Sequence, residues 1–384
     1  MRKFALLPRL RVNYTLLDLC RALLTNEKEG AKREQCEKIV SDFFNGEDVC
    51  LTPSARDALY EVLLRLPQET VVVPAYTCIA VVEAVLLAGK KIIYSKNDEN
   101  GFNSSYLESI EPNMIVLATH QYGMPCNIEQ VAAKCKEVGA VLIEDCATSM
   151  GTTVNGKKTG TFGDFAVVSF NASKLLNVPP YGGVLISKNK QILDDIKNTA
   201  DWKAPDFKFK LKGLIRGLAF VVTKYKYAYR CFHYLTMELK GKHQKSEHEK
   251  PSAIKTDLYK YKFSEWQAAI LLWQLQKLEA IFQKRKSLYA YYETRIGNNI
   301  IRKPQMNPDA VCCRYAILVE DREFFYKKSI DAGVDMDFSH CSLGCSESFV
   351  REHEMSKNVL NLPFDINLSS KEIEYVVKVV NSIK

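Results

Sequence analysis

Three residues near the middle of the chain carry side chains that can do covalent and acid–base chemistry. Asp145 ends the apolar run AVLIED, Ser169 ends the run FAVVS, and Lys174 follows Ser169 by five positions. Together they offer a carboxylate, a hydroxyl and an amine, the groups that a pyridine aldehyde bearing a phosphate requires. The amine would bond to the aldehyde, the carboxylate would keep the ring nitrogen protonated, and the hydroxyl would hold the phosphate.

Each of these residues also has an ordinary explanation when it is taken alone. Asp145 could cap a turn or a helix, Ser169 could bond to the backbone at a strand end, and Lys174 could be a solvated loop lysine. The chemical interpretation therefore depends on elements that bring the three side chains to one place.

Those elements are indicated by an alternation between helical periodicity and short β-branched runs from 50 to 187. Such alternation predicts a mainly parallel sheet with helices on both faces. Ligands of these sheets bind beyond the carboxyl ends of the strands, which points to 76–77, 120–123, 145–148 and 169–174. The predicted helices are 54–66, 78–91 and 128–139, and the predicted strands are 70–76, 91–96, 114–120, 140–146, 165–170 and 182–188.

Composition divides the rest of the chain. We predict an N-terminal helical segment at 1–49, a large α/β domain at 50–202, a basic aromatic insertion at 203–255, and a long helix with a small α+β domain at 256–384. The last part contains a predicted helix at 264–296, a strand at 312–319, a helix at 322–333 and a final helix at 370–383, capped by Ser369 or Ser370.

The overall composition limits the class of protein. The chain has 384 residues, of which 47% are hydrophobic, and it has no uncharged apolar run of about 18 residues. Pro8, Arg9 and Arg11 break the apolar character of its start, so we expect no secretory signal. The 12 cysteines form no CxxC pair, which favours reduced thiols and a cytoplasmic protein. The motif SHCSLGC at 339–345 fits no standard zinc spacing, and we expect no metal.

The excess positive charge lies in one segment. The chain carries 53 Lys and Arg against 45 Asp and Glu, a net charge of +8. Residues 203–250 contain 12 basic and 4 acidic residues, so the remainder is formally neutral. Nucleic-acid-binding proteins usually carry a basic surface on a recognisable reading motif. The sequence has no such motif, and we expect no nucleic-acid partner.

The blocks around the three central residues resemble those of a known family. TPSARDALYEVL, VVVPAYTCIAVVEAVLLAGKKIIY, the block from THQYGMP to VVSFNASK, FSEWQAAI and LNLPFDINLSSKEI occur in the order and spacing of the DegT/DnrJ/EryC1/StrS sugar aminotransferases. The resemblance covers most of the chain. It implies a pyridoxal 5′-phosphate enzyme of fold type I: an α/β architecture in which helices flank a mainly parallel seven-stranded sheet, with a smaller C-terminal α+β domain.

Carried over position by position, the resemblance implies roles for individual residues. Lys174 would bond to the cofactor and act as the acid–base group, and Asp145 would pair with the pyridinium nitrogen. The other implied cofactor contacts are Ser54, Ala55, Arg56 and Ser169 at the phosphate, and Tyr76, Cys78 and Thr148 beside the ring.

Some positions depart from the family pattern. Pro53 replaces a glycine and so removes one amide donor from the phosphate site. Cys78 stands where many relatives have an aromatic residue, and Thr148 stands where Gln or His commonly packs over the ring. The segment NVPPYGG at 177–183 lacks the acidic residue of the common GEGG turn. These departures concern ring stacking and substrate recognition.

The resemblance also implies a reaction and a partner. An amino acid, commonly glutamate, would donate its amine to a nucleotide-linked keto-sugar used for cell-surface polysaccharide or glycoconjugate synthesis. We expect His120, Tyr122 and Tyr181 to line the sugar pocket, although His120 could equally be a buried, satisfied group. The family builds each site from two subunits, so we expect a homodimer in which Lys260 or Lys262, where relatives often have Asn and Arg, reaches the partner subunit.

Two other functions are alternatives for a chain of this kind. Sugar 3-dehydratases of this fold replace the cofactor lysine by histidine, so Lys174 argues against a dehydratase or related lyase. A non-catalytic relative that binds or regulates is compatible with Pro53, Cys78 and Thr148.

The basic segment has three interpretations. Between 207 and 242, Lys and Arg alternate with Phe, Tyr, Leu and Val, which is typical of an amphipathic helix on an anionic membrane surface, here the inner face. The apolar face could instead pack on the protein while the lysines are solvated. The charges could also attract an anionic nucleotide-diphosphate substrate.

Overall fold

Seven strands form the central sheet. A computed structural model of the protein describes residues 4–26, 29–98, 101–238, 259, 261–303, 307–340 and 343–384. Within these ranges the strands are β1 Asp48–Thr52, β2 Thr70–Pro74, β3 Lys91–Ser95, β4 Ile115–Thr119, β5 Val141–Asp145, β6 Thr153–Val154, β7 Lys157–Lys158, β8 Phe165–Ser169, β9 Gly183–Ser187, β10 Ile301–Arg302, β11 Tyr315–Val319 and β12 Val359–Leu362. The large sheet has the order β1-β9-β8-β5-β4-β2-β3.

This sheet is mainly parallel, as predicted. Strand β9 is antiparallel to both of its neighbours, β8 and β1. The other six strands, β1, β8, β5, β4, β2 and β3, share one direction. The predicted α/β fold is confirmed, and only β1 was not among the predicted strands. Because the parallel strands end at one edge, the residues that follow them lie close together there.

Helices flank the sheet and pack on alternate strand residues. Ile143, Val167 and Leu185 belong to a core with α3 and α4, whereas Ala166 and Val168 belong to a core with α2 and α9. The helices are α1 Leu16–Ala22, α2 Ala31–Phe43, α3 Ala55–Arg65, α4 Ile79–Leu87, α5 Ile128–Val138, α6 Lys190–Thr199, α7 Phe207–Val222, α8 Lys226–His233, α9 Glu265–Leu275, α10 Leu278–Arg295, α11 Arg322–Asp331, α12 Val350–Asn358 and α13 Ser370–Ser382.

The predicted helix at 264–296 is in fact two helices, α9 and α10. They are separated at Gln276 and Lys277, where the backbone of Lys277 leaves helical geometry with φ −112° and ψ 15°. The end of α9 is fixed by tertiary contacts, because Gln274 both accepts from the Asn177 N–H at 3.0 Å and donates to the Asn177 carbonyl at 2.8 Å. Those bonds tie α9 to the chain that follows Lys174.

A smaller α+β region completes the described chain. Strands β10, β11 and β12 form a three-stranded antiparallel sheet, which shares an apolar core with Tyr292, Phe325 and Val380 from the neighbouring helices. The predicted strand at 312–319 and the helices at 322–333 and 370–383 correspond to β11, α11 and α13, and Ser369 is the N-cap of α13. The sequence did not indicate α12 or β12.

The basic segment begins with α7 and α8. A short π-helical turn, Tyr234–Glu238, follows α8, and residues 239–258 lie outside the described ranges. None of the described helices is both long and apolar enough to cross a membrane.

Candidate active site

A cavity of about 620 Å³ opens at the carboxyl ends of β2, β4, β5 and β8. The large sheet forms one side of it, and residues of the smaller α+β region form the other, among them Arg314 and His340. The predicted site residues that line this cavity are Ser54, Ala55, Arg56, Cys78, Tyr122, Asp145, Thr148, Ser169, Lys174 and Tyr181. Residues that are distant in sequence therefore meet where the strand ends predicted a ligand.

Lys174 lies in a tight turn that follows β8. Its backbone N–H donates to the Asn171 carbonyl at 2.9 Å, and Val178 N–H donates back to the Phe170 carbonyl at 2.9 Å. The loop is thus closed by its own backbone before the chain turns into β9. No described residue forms a hydrogen bond or an ion pair with Nζ, and Lys174 lines the cavity, so its amine is available there.

Asp145 is the last residue of β5 and is almost fully buried. Its Oδ1 accepts from the Ala147 N–H at 2.9 Å, which orients the carboxylate. None of the described residues donates to Oδ2. A carboxylate that is held by one oxygen and lines a cavity with the other is well suited to pair with a protonated ring nitrogen.

The first turn of α3 offers an anion site. Ser54 caps the helix and accepts from the Asp57 N–H at 3.2 Å, and the helix start presents further amides to the cavity. Gly183 on β9 packs directly behind it, because a Cβ at that position would lie 2.4 Å from the Ala55 nitrogen. The Arg56 side chain pairs with Glu83 at 2.8 Å.

Ser169, Thr148 and Cys78 also line the cavity. The Ser169 hydroxyl lies 3.5 Å from the Asn171 N–H, and the Thr148 hydroxyl donates to the His120 carbonyl at 2.8 Å. Cys78 is exposed at the start of α4 without a side-chain capping bond. These side chains could therefore contact a bound ring or phosphate without breaking the fold.

His120 does not reach the cavity, contrary to one expectation. Its ring is fully buried, its Nδ1 accepts from the Cys126 N–H at 3.2 Å, and its Nε2 lies 3.1 Å from Glu144. Because Nδ1 accepts a hydrogen bond, this pattern assigns a ring proton to Nε2, which donates it to Glu144. His120 is therefore a buried residue with both ring nitrogens hydrogen-bonded, which was the alternative to a place in the sugar pocket.

Glu144 anchors this buried network beside Asp145. Its two oxygens accept from the N–H groups of Gly160, Phe162 and Gly163 at 2.7 to 2.8 Å, in addition to His120. His120, Glu144 and Cys146 each have an atom that could ligate a metal, and these three atoms lie within 4.8 Å of one another. Hydrogen bonds already occupy both carboxylate oxygens, so this cluster serves to fix the end of β5.

Tyr76 is also buried rather than at the cavity wall. Its hydroxyl bonds to the Tyr122 hydroxyl at 2.6 Å, and its ring meets His340 edge-on at 5.1 Å. Tyr76, Thr77 and Cys78 lie in the turn between β2 and α4, and this turn directs Thr77 and Cys78 to the cavity while Tyr76 packs behind its wall. Tyr76 supports Tyr122, which does line it.

Arg314 and His340 form the wall that sequence reasoning missed. The Arg314 side chain is 20% exposed and pairs with Asp337, and its Nη1 also donates to Ser339 at 3.1 Å. Burial, with the nearby cations Arg314 and Lys174, lowers the pKa of His340 to about 3, so its imidazole is neutral at physiological pH. Although burial opposes ionisation, Arg314 and Arg9 hold the pKa of Asp337 below its usual value.

An aromatic pair closes the end of the cavity next to α3. Tyr181, from NVPPYGG, stacks on Tyr259 with ring centroids 3.5 Å apart and an interplanar angle of 20°. The Tyr259 N–H donates to Asp57 at 2.9 Å, and its ring lies 5.4 Å from the Arg56 guanidinium. No local pattern predicts this pairing, because Tyr259 belongs to a distant segment.

Asp57 gives a pH-dependent prediction for the helix start. Burial raises the pKa of this carboxyl to about 6, against the hydrogen bond from Ser54. The folded state therefore favours the protonated form, and the stabilisation that this proton provides is lost as the pH rises from 4 towards 7. Over that range we expect Asp57→Asn to gain about 2 to 3 kcal/mol in unfolding free energy relative to the parent.

Denaturant unfolding at several pH values measures this difference. The control is Asp42→Asn, which alters a carboxylate whose side chain is 62% exposed and should show no such trend. A constant difference between Asp57→Asn and the parent protein from pH 4 to 7 would contradict the assignment.

The two lysines predicted to act across a dimer differ in what can be said of them. Lys260 lies outside the described residues. Lys262 lies away from the main cavity, in a groove with Arg33, Glu37 and Trp202, and its N–H donates to the Lys203 carbonyl at 2.9 Å. Within one chain it does not reach Lys174, so its predicted role requires a second subunit.

Comparison with known proteins identifies the family. The profile of the DegT/DnrJ/EryC1/StrS aminotransferase family matches residues 17–381. The chain belongs to this family. The predicted family is therefore confirmed, and it explains why a lysine, an aspartate and a helix start meet in one cavity.

Individual relatives in this family are similar over different lengths. GDP-perosamine synthase from Vibrio cholerae is 34% identical over 131 residues, which is 33% of this chain and 35% of the relative. dTDP-3-amino-3,6-dideoxy-α-D-galactopyranose transaminase from Aneurinibacillus thermoaerophilus is 25% identical over 331 residues, 82% of this chain and 78% of the relative. The crystal structure of NtdA from Bacillus subtilis, with bound cofactor PMP, has a TM-score of 0.72 at 22% identity and covers 100% of this chain and 85% of that one.

Proposed function

We propose that this family member uses pyridoxal 5′-phosphate to transfer an amino group from L-glutamate to a nucleotide-linked keto-sugar, in the synthesis of cell-surface polysaccharide or glycoconjugates. The observation that carries the proposal is the meeting of Lys174, Asp145 and the start of α3 in one cavity. The names of the relatives, GDP-perosamine synthase and a dTDP-amino-sugar transaminase, support a nucleotide-linked sugar as the acceptor.

The residues present fit the cofactor. Asp145 offers an oriented carboxylate for the ring nitrogen, and Ser54, Ser169 and the first amides of α3 offer an anion site. Lys174 offers an amine that has no partner among the described residues. Gly183 leaves room for β9 behind that helix start. When bound, pyridoxal phosphate supplies an aldehyde and an electron-withdrawing ring that stabilises a carbanion.

The chain's own residues would then move protons and orient groups. Asp145 would keep the ring nitrogen protonated by its negative charge. Lys174 Nζ would accept the proton from the donor's α-carbon and would then deliver it to the cofactor. Tyr122 and Tyr181 would contact the acceptor sugar, and the neutral His340 would add a hydrogen-bonding group that does not titrate in the working pH range.

Arg314 is our choice for binding the donor's carboxylate. Its guanidinium is partly exposed on the cavity wall, and Asp337 and Ser339 fix its direction through Nη1. A charged hydrogen bond of this kind contributes about 1.5 to 3 kcal/mol. We therefore expect Arg314→Gln to raise the half-saturating glutamate concentration by about tenfold or more, with little effect on the nucleotide sugar.

Rapid-mixing absorbance of each half-reaction measures these effects separately. Arg302→Gln, which removes an exposed cation on β10, is the control. An unchanged glutamate dependence in Arg314→Gln would remove Arg314 from donor recognition.

We also propose that the enzyme is a cytoplasmic homodimer that is peripheral to the inner membrane face. The position of Lys262 in a groove away from Lys174 supports a site completed by a second subunit. The concentration of the net charge in 203–250 supports contact with an anionic surface. Light scattering of the purified protein tests the dimer, and a monomer at micromolar concentration with full activity would contradict it.

Absorbance spectroscopy tests the proposed function. Purified protein loaded with pyridoxal phosphate should show a visible band that disappears on addition of glutamate and returns with a suitable nucleotide keto-sugar, while 2-oxoglutarate is released. A panel of nucleotide keto-sugars then identifies the acceptor. Loaded protein without such a band would favour the binding or regulatory alternative over an enzyme.

A further inference from the structure

Helix α7 packs against the wall of the catalytic cavity through small residues. A Cβ added at Gly213 would lie 2.8 Å from the Trp266 ring, and one at Gly217 would lie 3.0 Å from Leu19. The same added atoms would meet the NVPPYGG segment, at 3.1 Å from Pro180 for Gly213 and at 3.2 Å from Pro179 for Gly217. The absence of side chains at the two positions lets the helix backbone lie close to the protein.

The same inner face touches the cavity wall directly. Phe209 is buried, and its ring centroid lies 6.0 Å from that of Tyr181, which lines the cavity. The helix is about 10 Å in diameter. The outer face of α7 is therefore separated from the cavity wall by the thickness of one helix.

The outer face of α7 is apolar and exposed. Phe207 is 77% exposed, Leu211 43%, Ile215 59% and Val222 54%. Their spacing of four, four and seven positions places them along one side of the helix. Among the described residues no other element covers this row, whereas the inner row is closely packed.

A row of cations runs beside the apolar row. Lys208, Lys212 and Arg216 are all exposed and follow the same spacing of four. An exposed helix face that is half apolar and half basic is typical of helices that lie in the interface of an anionic bilayer. The apolar side chains enter the headgroup region while the cations meet lipid phosphates.

The elements next to α7 add further apolar and aromatic groups. Helix α1 packs on α7 through Leu19 and exposes four leucines, and α8 and its flanks expose aromatic side chains of the kind found at membrane interfaces. These exposed residues are Leu16, Leu17, Leu23 and Leu24 on and after α1, and Tyr225, Tyr227, Phe232, Tyr234 and Leu235 on and around α8.

We propose that the outer face of α7, formed by Phe207, Leu211, Ile215 and Val222 with the adjacent cations Lys208, Lys212 and Arg216, docks this enzyme on an anionic lipid bilayer. The proposal rests on the peripheral location proposed above and names the surface responsible. Among the three interpretations of the basic segment, it adopts contact with a membrane surface. The apolar row remains exposed even though the opposite face of the helix is packed on the protein.

Vesicle sedimentation with the full-length, cofactor-loaded protein tests this surface. We expect binding to vesicles that contain phosphatidylglycerol, little binding to phosphatidylcholine alone, and weaker binding at high salt. Ile215→Glu, and separately the triple change Lys208→Gln, Lys212→Gln and Arg216→Gln, should each reduce partitioning by more than about tenfold.

Matched controls separate this surface from general charge and hydrophobicity. Val350→Glu alters a 61% exposed apolar residue on α12, and Lys136→Gln, Lys190→Gln and Lys371→Gln together remove three exposed cations elsewhere. Both control proteins should bind as the parent does. Parent protein that fails to bind, or α7 variants that bind equally well, would overturn the proposal.

Light scattering without vesicles supplies the remaining outcome. If Ile215→Glu converts a larger oligomer into a smaller one, the outer face of α7 is a subunit interface and the proposal is wrong. The glutamate-dependent loss of the visible band should be the same in all of these proteins. A failure of docking is thus distinguishable from a failure of the proposed aminotransferase activity, which would appear in the parent protein as well.

Discussion

Lys174→Ala should lose amino transfer by at least about 10⁴-fold, because the change removes both the group that bonds to the cofactor and the acid–base amine. The Lys174 amine forms no hydrogen bond with any residue that the structure describes, so its loss breaks none there. The turn that carries it is closed by backbone bonds at Asn171 and Phe170, which alanine retains. Stability should therefore change little while activity disappears.

The measurement combines turnover, absorbance and thermal unfolding. Lys190→Ala, which changes an exposed lysine on α6, should retain full activity and the visible band. Adding a small primary amine to Lys174→Ala should restore part of the rate, since it replaces the missing base. A variant that keeps more than about a tenth of the parent activity would show that another group performs the chemistry.

Asp145→Asn should reduce the rate of each half-reaction by about 10² to 10⁴-fold, the range expected when one electrostatic contribution to the transition state is removed. Asparagine has nearly the same shape, and its amide oxygen can still accept from the Ala147 N–H. Its neutral side chain cannot keep a ring nitrogen protonated, so carbanion charge would be stabilised less.

Single-turnover absorbance with glutamate measures this loss directly. Asp164→Asn is a suitable control. Asp164 directly precedes β8, at the end of the strand that is remote from the cavity, and accepts from the Leu142 N–H at 2.8 Å. The control should retain the rate per active site. An Asp145→Asn protein with a normal rate would mean that the carboxylate does not face the ring.

The strand-end residues could be predicted from the sequence because parallel strands share one edge. Asp145 and Ser169 end β5 and β8, Lys174 lies in the turn that follows, and Ser54 caps the helix after β1. Local patterns indicate each of these elements. The sheet topology then brings the residues together without any further information.

The direction of side chains just beyond a strand end could not be predicted in the same way. His120 and Tyr76 follow their strands as closely as Thr77 and Tyr122 do, yet both are buried behind the wall. The side on which a side chain emerges depends on the local turn, such as the left-handed backbone of Tyr122 with φ 59°. A periodic pattern does not specify that geometry.

The wall formed by Arg314, His340 and Tyr259 could not be predicted. These residues come from segments that are distant in sequence from the strand ends and meet them only through tertiary packing. The outer face of α7 was only partly predictable for a related reason. Its amphipathic composition was visible, but Gly213 and Gly217 decide which side packs on the protein.

Borohydride reduction followed by peptide mass spectrometry tests the central claim most directly. Reduction fixes the cofactor to the lysine that holds it, and digestion then identifies the modified peptide. We predict a single phosphopyridoxyl modification on Lys174, and its loss when glutamate is added before the reduction. Modification of a different lysine, or none in protein incubated with pyridoxal phosphate, would contradict the account.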